Sequence, residues 1–370
     1  MQTRAESTAP EPGEKPPYIG GQAVLEGVMM RSPSSFAVVV RAPGGELRFR
    51  ERPVAAHATR WKALPLVRGV ASLVEALRLG NEALRFSVEV AEASGDGDGP
   101  PNPAAGPTAV PITRAVSAFA LAIANLGAEP VGAPKAETKP GGGVTGALMV
   151  VAALALFVAL PQATAALVDR AFALDLPVQS ARFQALTGLF KLVVVIGYLS
   201  AIRRIEEIRR MFQYHGAEHK AISTYEAGLP LTVEAARPFT TRHPRCGTTF
   251  LVLVALVSVV AFTAVGAFLP RIATGNPFLD NLLFFFEKLP FVPLLAGLTF
   301  ELQRLTARNV DAAWVQPFLV PGYLVQGITT IPPDDSQLEV ALASLRLTLE
   351  REHGAVRGTE ARAGVYAPAN

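Results

Sequence analysis

Residues 144–160 read VTGALMVVAALALFVAL, inside a stretch, 140–168, that holds no charged residue. A helix that crosses a bilayer needs roughly 20 predominantly apolar residues, so this stretch predicts a span over about 144–167. Outward along the chain, the same reasoning predicts spans at about 184–202, 249–269 and 279–300. Lys191 falls inside the second and has to snorkel or face protein, because a lone charge in lipid is costly. Glu287, Lys288, Pro290 and Pro293 interrupt the fourth, which predicts either a kinked span or an interfacial piece followed by a shorter helix. The fold class expected is therefore mainly α: a polytopic helical membrane protein with about four transmembrane helices, plus a small α+β cytoplasmic region at the N-terminal side.

Composition agrees. Half of the 370 residues are hydrophobic and 18% are charged, against about 25% charged in an ordinary soluble domain. A net charge of +3 gives no basic stripe of the kind a nucleic-acid binder needs. One cysteine, Cys246, rules out an intrachain disulfide. The first residues carry acids and prolines but no apolar core of a signal peptide. Orientation follows from where the basic residues lie. The loop 203–247 holds Arg203, Arg204, Arg209, Arg210, Lys220, Arg237, Arg242 and Arg245, whereas the loops at 169–183 and 270–278 hold only Arg170, Arg182 and Arg271. The positive-inside rule puts the long loop in the cytoplasm. Four spans then put both termini there too, in a cytoplasmic (inner) membrane.

The remaining segments read as follows. Residues 1–17 form a disordered tail. Within 18–92, Phe36–Arg41 and Glu46–Arg50 flank Ala42-Pro-Gly-Gly45, a β-hairpin pattern. Residues 61–92 follow as an amphipathic helix with Leu66, Val70, Leu73, Leu77, Leu84 and Val88 on one face. Pro, Gly and acids make 93–143 a linker around a short apolar piece. The membrane region is 144–305. In the cytoplasmic region 306–353, Ser336-Gln-Leu-Glu339 reads as a capping box, opening a helix with Leu338, Ala341, Leu342, Leu345 and Leu349 on one face. The final stretch, 354–370, reads as disordered.

The chemistry concentrates in the loop 203–247. Three of the five histidines, His215, His219 and His243, fall there with Cys246. His215-Gly-Ala-Glu218-His219 is an H-x-x-E-H pattern, the inverzincin arrangement. Residues four apart share a helix face, so both imidazoles can reach one divalent ion, zinc being the fitting choice. Glu218 would then act as general base toward an ion-activated water. Glu301, His243, Cys246 and Glu26 are the candidate further ligands. Other readings stay open. His215, His219, His243 and Cys246 have the spacing of a closed structural zinc site, or the histidines bind no metal and contact lipid phosphates. Gly216 weakens the required helix by about 1 kcal/mol relative to alanine. Glu26 could instead pair with Arg31, and Glu301 with Arg304. Asp334 and Asp335 resemble a metal pair but stand at a helix start, where capping suits them better.

Several segments together resemble the YqhQ-like family: GGQAVLEGVMMRSP (20–33), RRMFQYHGAEHKAISTYEAG (209–228), ARPFTTRHPRCGTTF (236–250), LAGLTFELQRL (295–305) and ITTIPPDDSQLEVAL (328–342). The resemblance covers most of residues 18–350 in the same order. It implies a bacterial multi-pass membrane protein of a family of unknown function, described as predicted metal-dependent enzymes.

The expectation is a membrane-bound metal-dependent hydrolase acting at the cytoplasmic face, with the bilayer as partner and an unidentified substrate. An oligomer is compatible with the pattern. The competing expectation is a non-catalytic scaffold or assembly factor, with a structural metal or none, offering its amphipathic helices to a partner.

Overall fold

The computed structural model describes residues 17–54, 64–93, 151–152, 155–178, 180–265, 274–354 and 360–367. Most of the expected linker 93–143, the tail before residue 17 and the first part of the expected span at 144–167 lie outside the described residues.

The hairpin expected around Ala42–Gly45 is present as β3 (Ser35–Arg41) and β4 (Leu47–Pro53). Gly45 closes its turn at φ +88°, a value that glycine adopts at no steric cost. The sheet is larger than the hairpin. β1 (Gly20–Val24) and β2 (Gly27–Arg31) precede it, and β5 (Arg362–Val365) pairs with β4, giving an antiparallel sheet in the order β1-β2-β3-β4-β5. The expected disorder of 354–370 is thus corrected over 362–365, which the exposed backbone of β4 templates.

Phe36, Ala37, Val38, Val39 and Val40 are all at most 1% exposed. The run has no polar alternation because both sheet faces are covered. One face (Val28, Met30, Ala37, Val39) packs on α4 (Glu206–Glu226) and α10 (Asp335–Glu352). The other (Val24, Met29, Phe36, Val38, Val40) packs on Leu79, Ala83, Phe86 and Val90 of α1 (Val67–Ala93). Each buried Val, Leu, Met or Phe among them contributes about 1.5–3 kcal/mol. The buried face of α1 differs from the expected one: Leu77 is 49% exposed. The cap of α10 also moves. Asp334, not Ser336, accepts from the Gln337 N–H at 2.9 Å, and the Gln337 side chain accepts the Asp334 N–H at 3.0 Å. The expected apolar positions of α10 are all buried, together with Val340, Ala343 and Leu347, so the helix is interior rather than a surface platform.

The apolar helices form the second part. They are α2 (Leu160–Ala171), α3 (Ala181–Ile202), α6 (Gly247–Val265), α7 (Pro277–Lys288), α8 (Val292–Arg308) and α9 (Gln316–Thr329). A single 3-10 turn, Leu289–Phe291, joins α7 to α8 across the prolines, so the expected fourth span is one continuous, locally tightened helix. Among the described residues, two helical stretches are long and apolar enough to cross a membrane, Ala181–Ile202 and Leu282–Arg308. α9 is a helix within the region expected to be cytoplasmic, and it packs along α6. Between the two parts runs α4, preceded by Arg203 and Arg204, and followed by the short α5 (Val233–Ala236).

Candidate functional site

The H-x-x-E-H pattern lies in the middle of α4, which continues uninterrupted from Glu206 to Glu226. Gly216 does not break it. A Cβ at Gly216 would meet the Ile331 carbonyl oxygen at 2.2 Å, so the residue is where the 328–332 backbone crosses α4. That crossing is fixed by the Ile331 N–H donating to the Phe212 carbonyl at 3.0 Å. Tertiary packing therefore outweighs the helix propensity lost at one glycine.

The helical spacing puts His215 and His219 on one face, their ring centroids 4.5 Å apart. Both rings are oriented by backbone carbonyls. His215 Nδ1 lies 2.9 Å from the Thr329 carbonyl oxygen, and His219 Nδ1 lies 2.5 Å from that of Thr241. A carbonyl only accepts, so each Nδ1 carries a proton and each Nε2 is the nitrogen left to face inward. Cys246 comes from outside α4. His215 Nε2 is 3.2 Å from its Sγ. Cys246 immediately precedes α6, and its sulfur accepts the Thr248 N–H at 3.4 Å, a helix N-terminal position that favours a thiolate. The donor atoms of His215, His219 and Cys246 all lie within 4.8 Å of one another.

Gln326 of α9 holds the approach to Cys246. Its side chain accepts from the His243 N–H at 2.8 Å, and donates to the His243 carbonyl at 2.8 Å and to Thr249 Oγ1 at 2.7 Å. His219 and Cys246 are buried, and His215 is the member of the group that reaches solvent. Burial lowers the basicity of His215, but the adjacent Cys246 thiolate more than offsets it and holds the imidazole at about 9. Burial opposes ionisation of Cys246 as well, and the two imidazoles outweigh it, keeping the thiol well below its ordinary range. His219 is held low, by burial first and then by His215.

Glu218 is 5% exposed, and burial pushes its carboxyl up to about 8 against the pull of His215. It accepts from the Ala23 backbone of β1 and lies against Gly21, where an added Cβ would be 2.7 Å from the carboxyl carbon. Its Oε2 is buried with no hydrogen-bond partner among the described residues, as is Nε2 of His219.

The other candidate ligands are placed elsewhere. Glu301 pairs with Arg68 of α1, its Oε1 2.6 Å from Nε, rather than with Arg304. Glu26, in the β1–β2 turn at φ +51°, pairs with Arg210 at 2.6 Å, rather than with Arg31. Both carboxylates are thus engaged by guanidinium forks. His243 neighbours His219, ring centroids 5.6 Å apart, but its Nε2 faces Glu226 at 3.3 Å and its Nδ1 accepts the Arg245 N–H at 3.4 Å. Burial pushes that imidazole down to about 4. Asp334 caps α10 and Asp335 pairs with Arg237. Side-chain chemistry alone does not reveal the Thr241 and Thr329 carbonyls or Gln326. The signal available is that two of the segments carrying the family resemblance, 236–250 and 328–342, contain or adjoin them.

The donor set fits a divalent cation. Three ligands of zinc-binding type converge, and both imidazoles are held through Nδ1 by backbone carbonyls.

The chain belongs to a family of proteins of unknown function, DUF1385, whose model matches residues 64–351. The chain is also similar to the uncharacterized protein YqhQ of Bacillus subtilis (strain 168), with 29% identity over 340 residues, covering 91% of this chain and 94% of that protein. No solved structure matches the chain.

Proposed function

We propose that this protein is a membrane-embedded, metal-dependent enzyme, a hydrolase whose centre lies on the cytoplasmic side. The observation that carries the reading is the convergence of His215, His219 and Cys246 donor atoms beside the buried Glu218. Three protein ligands with one position open is the pattern of catalytic rather than structural zinc sites. The closed four-ligand alternative requires His243, whose two nitrogens face Glu226 and the Arg245 N–H.

When bound, a divalent cation would supply a Lewis acid that acidifies water and polarises a substrate oxygen. The chain's own residues do the rest. His215 and His219 bind through Nε2, with the Thr329 and Thr241 carbonyls preventing the tautomers from switching. Cys246 supplies the anionic ligand. Glu218 takes and returns a proton at Oε2, and its raised basicity suits that work near neutral pH. Packing of β1 and the 328–332 segment on α4 keeps bulk water from the inner side.

The membrane placement rests on burial. A core helix of a soluble protein is mostly covered, yet only 11% of the apolar stretch in Ala181–Ile202 and 28% of that in Leu282–Arg308 is buried by the rest of the protein. Leu189, Val193, Leu294, Leu298 and Leu324 are 46–69% exposed. Such a surface suits contact with lipid. The scaffold reading has less support, since α10 spends its apolar faces inside the protein.

The test is metal content. The untagged protein, purified in detergent, is expected to carry about one equivalent of zinc per chain by mass spectrometry, lost in His215→Ala/His219→Ala. A folded wild type without stoichiometric metal would end this reading.

A further inference from the structure

A second site lies beside this cluster. A cavity of about 450 Å³ opens between the edge of the sheet, α1 and α8, lined by Arg31, Arg245, Arg304 and Arg308 with one carboxylate, Glu75. That volume is within the range of small-molecule sites. The charges in it are poorly compensated. Arg304 and Arg308 close no ion pair among the described residues, and Arg31 reaches Glu75 only at 3.4 Å. Arg245 pairs with Glu226 through one Nη, while its Nε is buried with no hydrogen-bond partner among the described residues and its guanidinium is stacked over the Tyr18 ring at 4.9 Å.

We propose that this cavity binds a phosphate-bearing ligand. With Glu75 answering Arg31 and Glu226 answering Arg245, Arg304 and Arg308 leave an excess of positive charge and more forked donors than a single ligand carboxylate can satisfy. A phosphate group, with several acceptor oxygens and up to two charges, satisfies them. The space exceeds that of a bare phosphate, and Phe300, Pro33 and Ala307 give an apolar wall for the group esterified to it. Two sources share this chemistry, a lipid headgroup and a soluble phosphate ester. Arg304 and Arg308 occupy the final turns of the membrane-candidate stretch Leu282–Arg308, which is headgroup depth if that stretch spans. Only this choice of source rests on the membrane reading; the site itself does not. The cavity also touches the candidate metal centre, because Gln303, one of its walls, donates to the Cys246 carbonyl at 3.0 Å.

The experiment uses the full chain in maltoside micelles and measures binding by titration calorimetry. The probes are dioctanoyl phosphatidylglycerol, pyrophosphate and, lacking phosphate, dioctanoylglycerol. The expected result is saturable binding of a phosphate-bearing probe that weakens at least about tenfold in Arg304→Gln/Arg308→Gln and falls with added salt. Arg209→Gln, which removes an exposed charge outside the cavity, changes it less than about twofold. Binding of the lipid identifies a headgroup site; binding of pyrophosphate alone identifies a soluble ester; either supports the proposal. It is overturned if the wild type binds neither, if dioctanoylglycerol binds as well as the phospholipid, or if the folded double variant binds like the wild type. These readouts involve no metal and no turnover, so this proposal and the hydrolase reading can fail separately.

Discussion

His215 Nε2 lies 3.2 Å from Cys246 Sγ although the two residues are 31 positions apart and Cys246 lies outside α4, just before α6. One is fixed by the Thr329 carbonyl and the other by the start of α6, so the approach is set by tertiary structure. It predicts which substitutions change metal content. Cys246→Ala is expected to strip the ion, whereas Glu301→Gln and Glu26→Gln leave it in place, because those carboxylates serve Arg68 and Arg210. Glu218→Gln is expected to retain the ion as well. Metal analysis of the four purified variants checks this, and loss of zinc in Glu301→Gln would reassign the third ligand.

Gly216→Ala sets two effects against each other. Helix propensity favours alanine by about 1 kcal/mol. The added Cβ would stand 2.2 Å from the Ile331 carbonyl oxygen, a backbone atom that cannot rotate away. Overpacking of this kind costs about 1–3 kcal/mol. With the backbone unable to give, the clash should win. The variant is expected to unfold at lower temperature than the wild type, and a raised midpoint would show that the crossing is loose.

The α10 cap predicts a contrast between neighbours. Asp334→Ala removes the side-chain acceptor for the Gln337 N–H, the half of the capping box that the aspartate itself supplies, and is expected to cost about 0.5–2 kcal/mol. Ser336→Ala loses only a hydroxyl that donates to Asp334 Oδ1 at 2.6 Å, and is expected to change stability far less. Chemical denaturation of the two variants distinguishes the two cap positions.

Glu51 is 0% exposed on β4 and faces Arg351 of α10 at 3.1 Å, with Arg362 of β5 also paired to it. Removing it as Glu51→Ala leaves the 4%-exposed Arg351 side chain short of its counter-charge, an effect of about 3–5 kcal/mol. The expected outcome is a large drop in thermal midpoint. A change below about 1 kcal/mol would mean that water or other groups take over the guanidinium.

The legible parts of the sequence were those whose signal is carried by neighbouring residues. The β3–β4 hairpin declares itself through branched residues around a Pro-Gly-Gly turn, and α10 through one apolar stripe. α1 does not, because it serves two partners. Near its start Gly69 packs on Phe300 and Gly297 of α8, while Leu79, Ala83, Phe86 and Val90 pack on the sheet. Two faces at two heights blur a single period. β1, β2 and β5 are four or five residues each, too short to declare a period of two. At the site, the helical pair His215 and His219 follows from spacing. Choosing Cys246 among four candidates does not, nor do the Arg68–Glu301 and Arg210–Glu26 pairs, which bridge 233 and 184 positions.

The pairing of β5 with β4 has a consequence for how the chain is made. Arg362–Val365 sits beside Leu47–Pro53, and α10 supplies the layer under strands that were synthesised some 300 residues earlier. The sheet therefore waits, incomplete, while every apolar helix between leaves the ribosome, and contacts this remote in sequence form slowly. A nascent chain halted before residue 335 would hold the early strands with one face only partly covered, by α4 alone, a form suited to capture by chaperones or proteases.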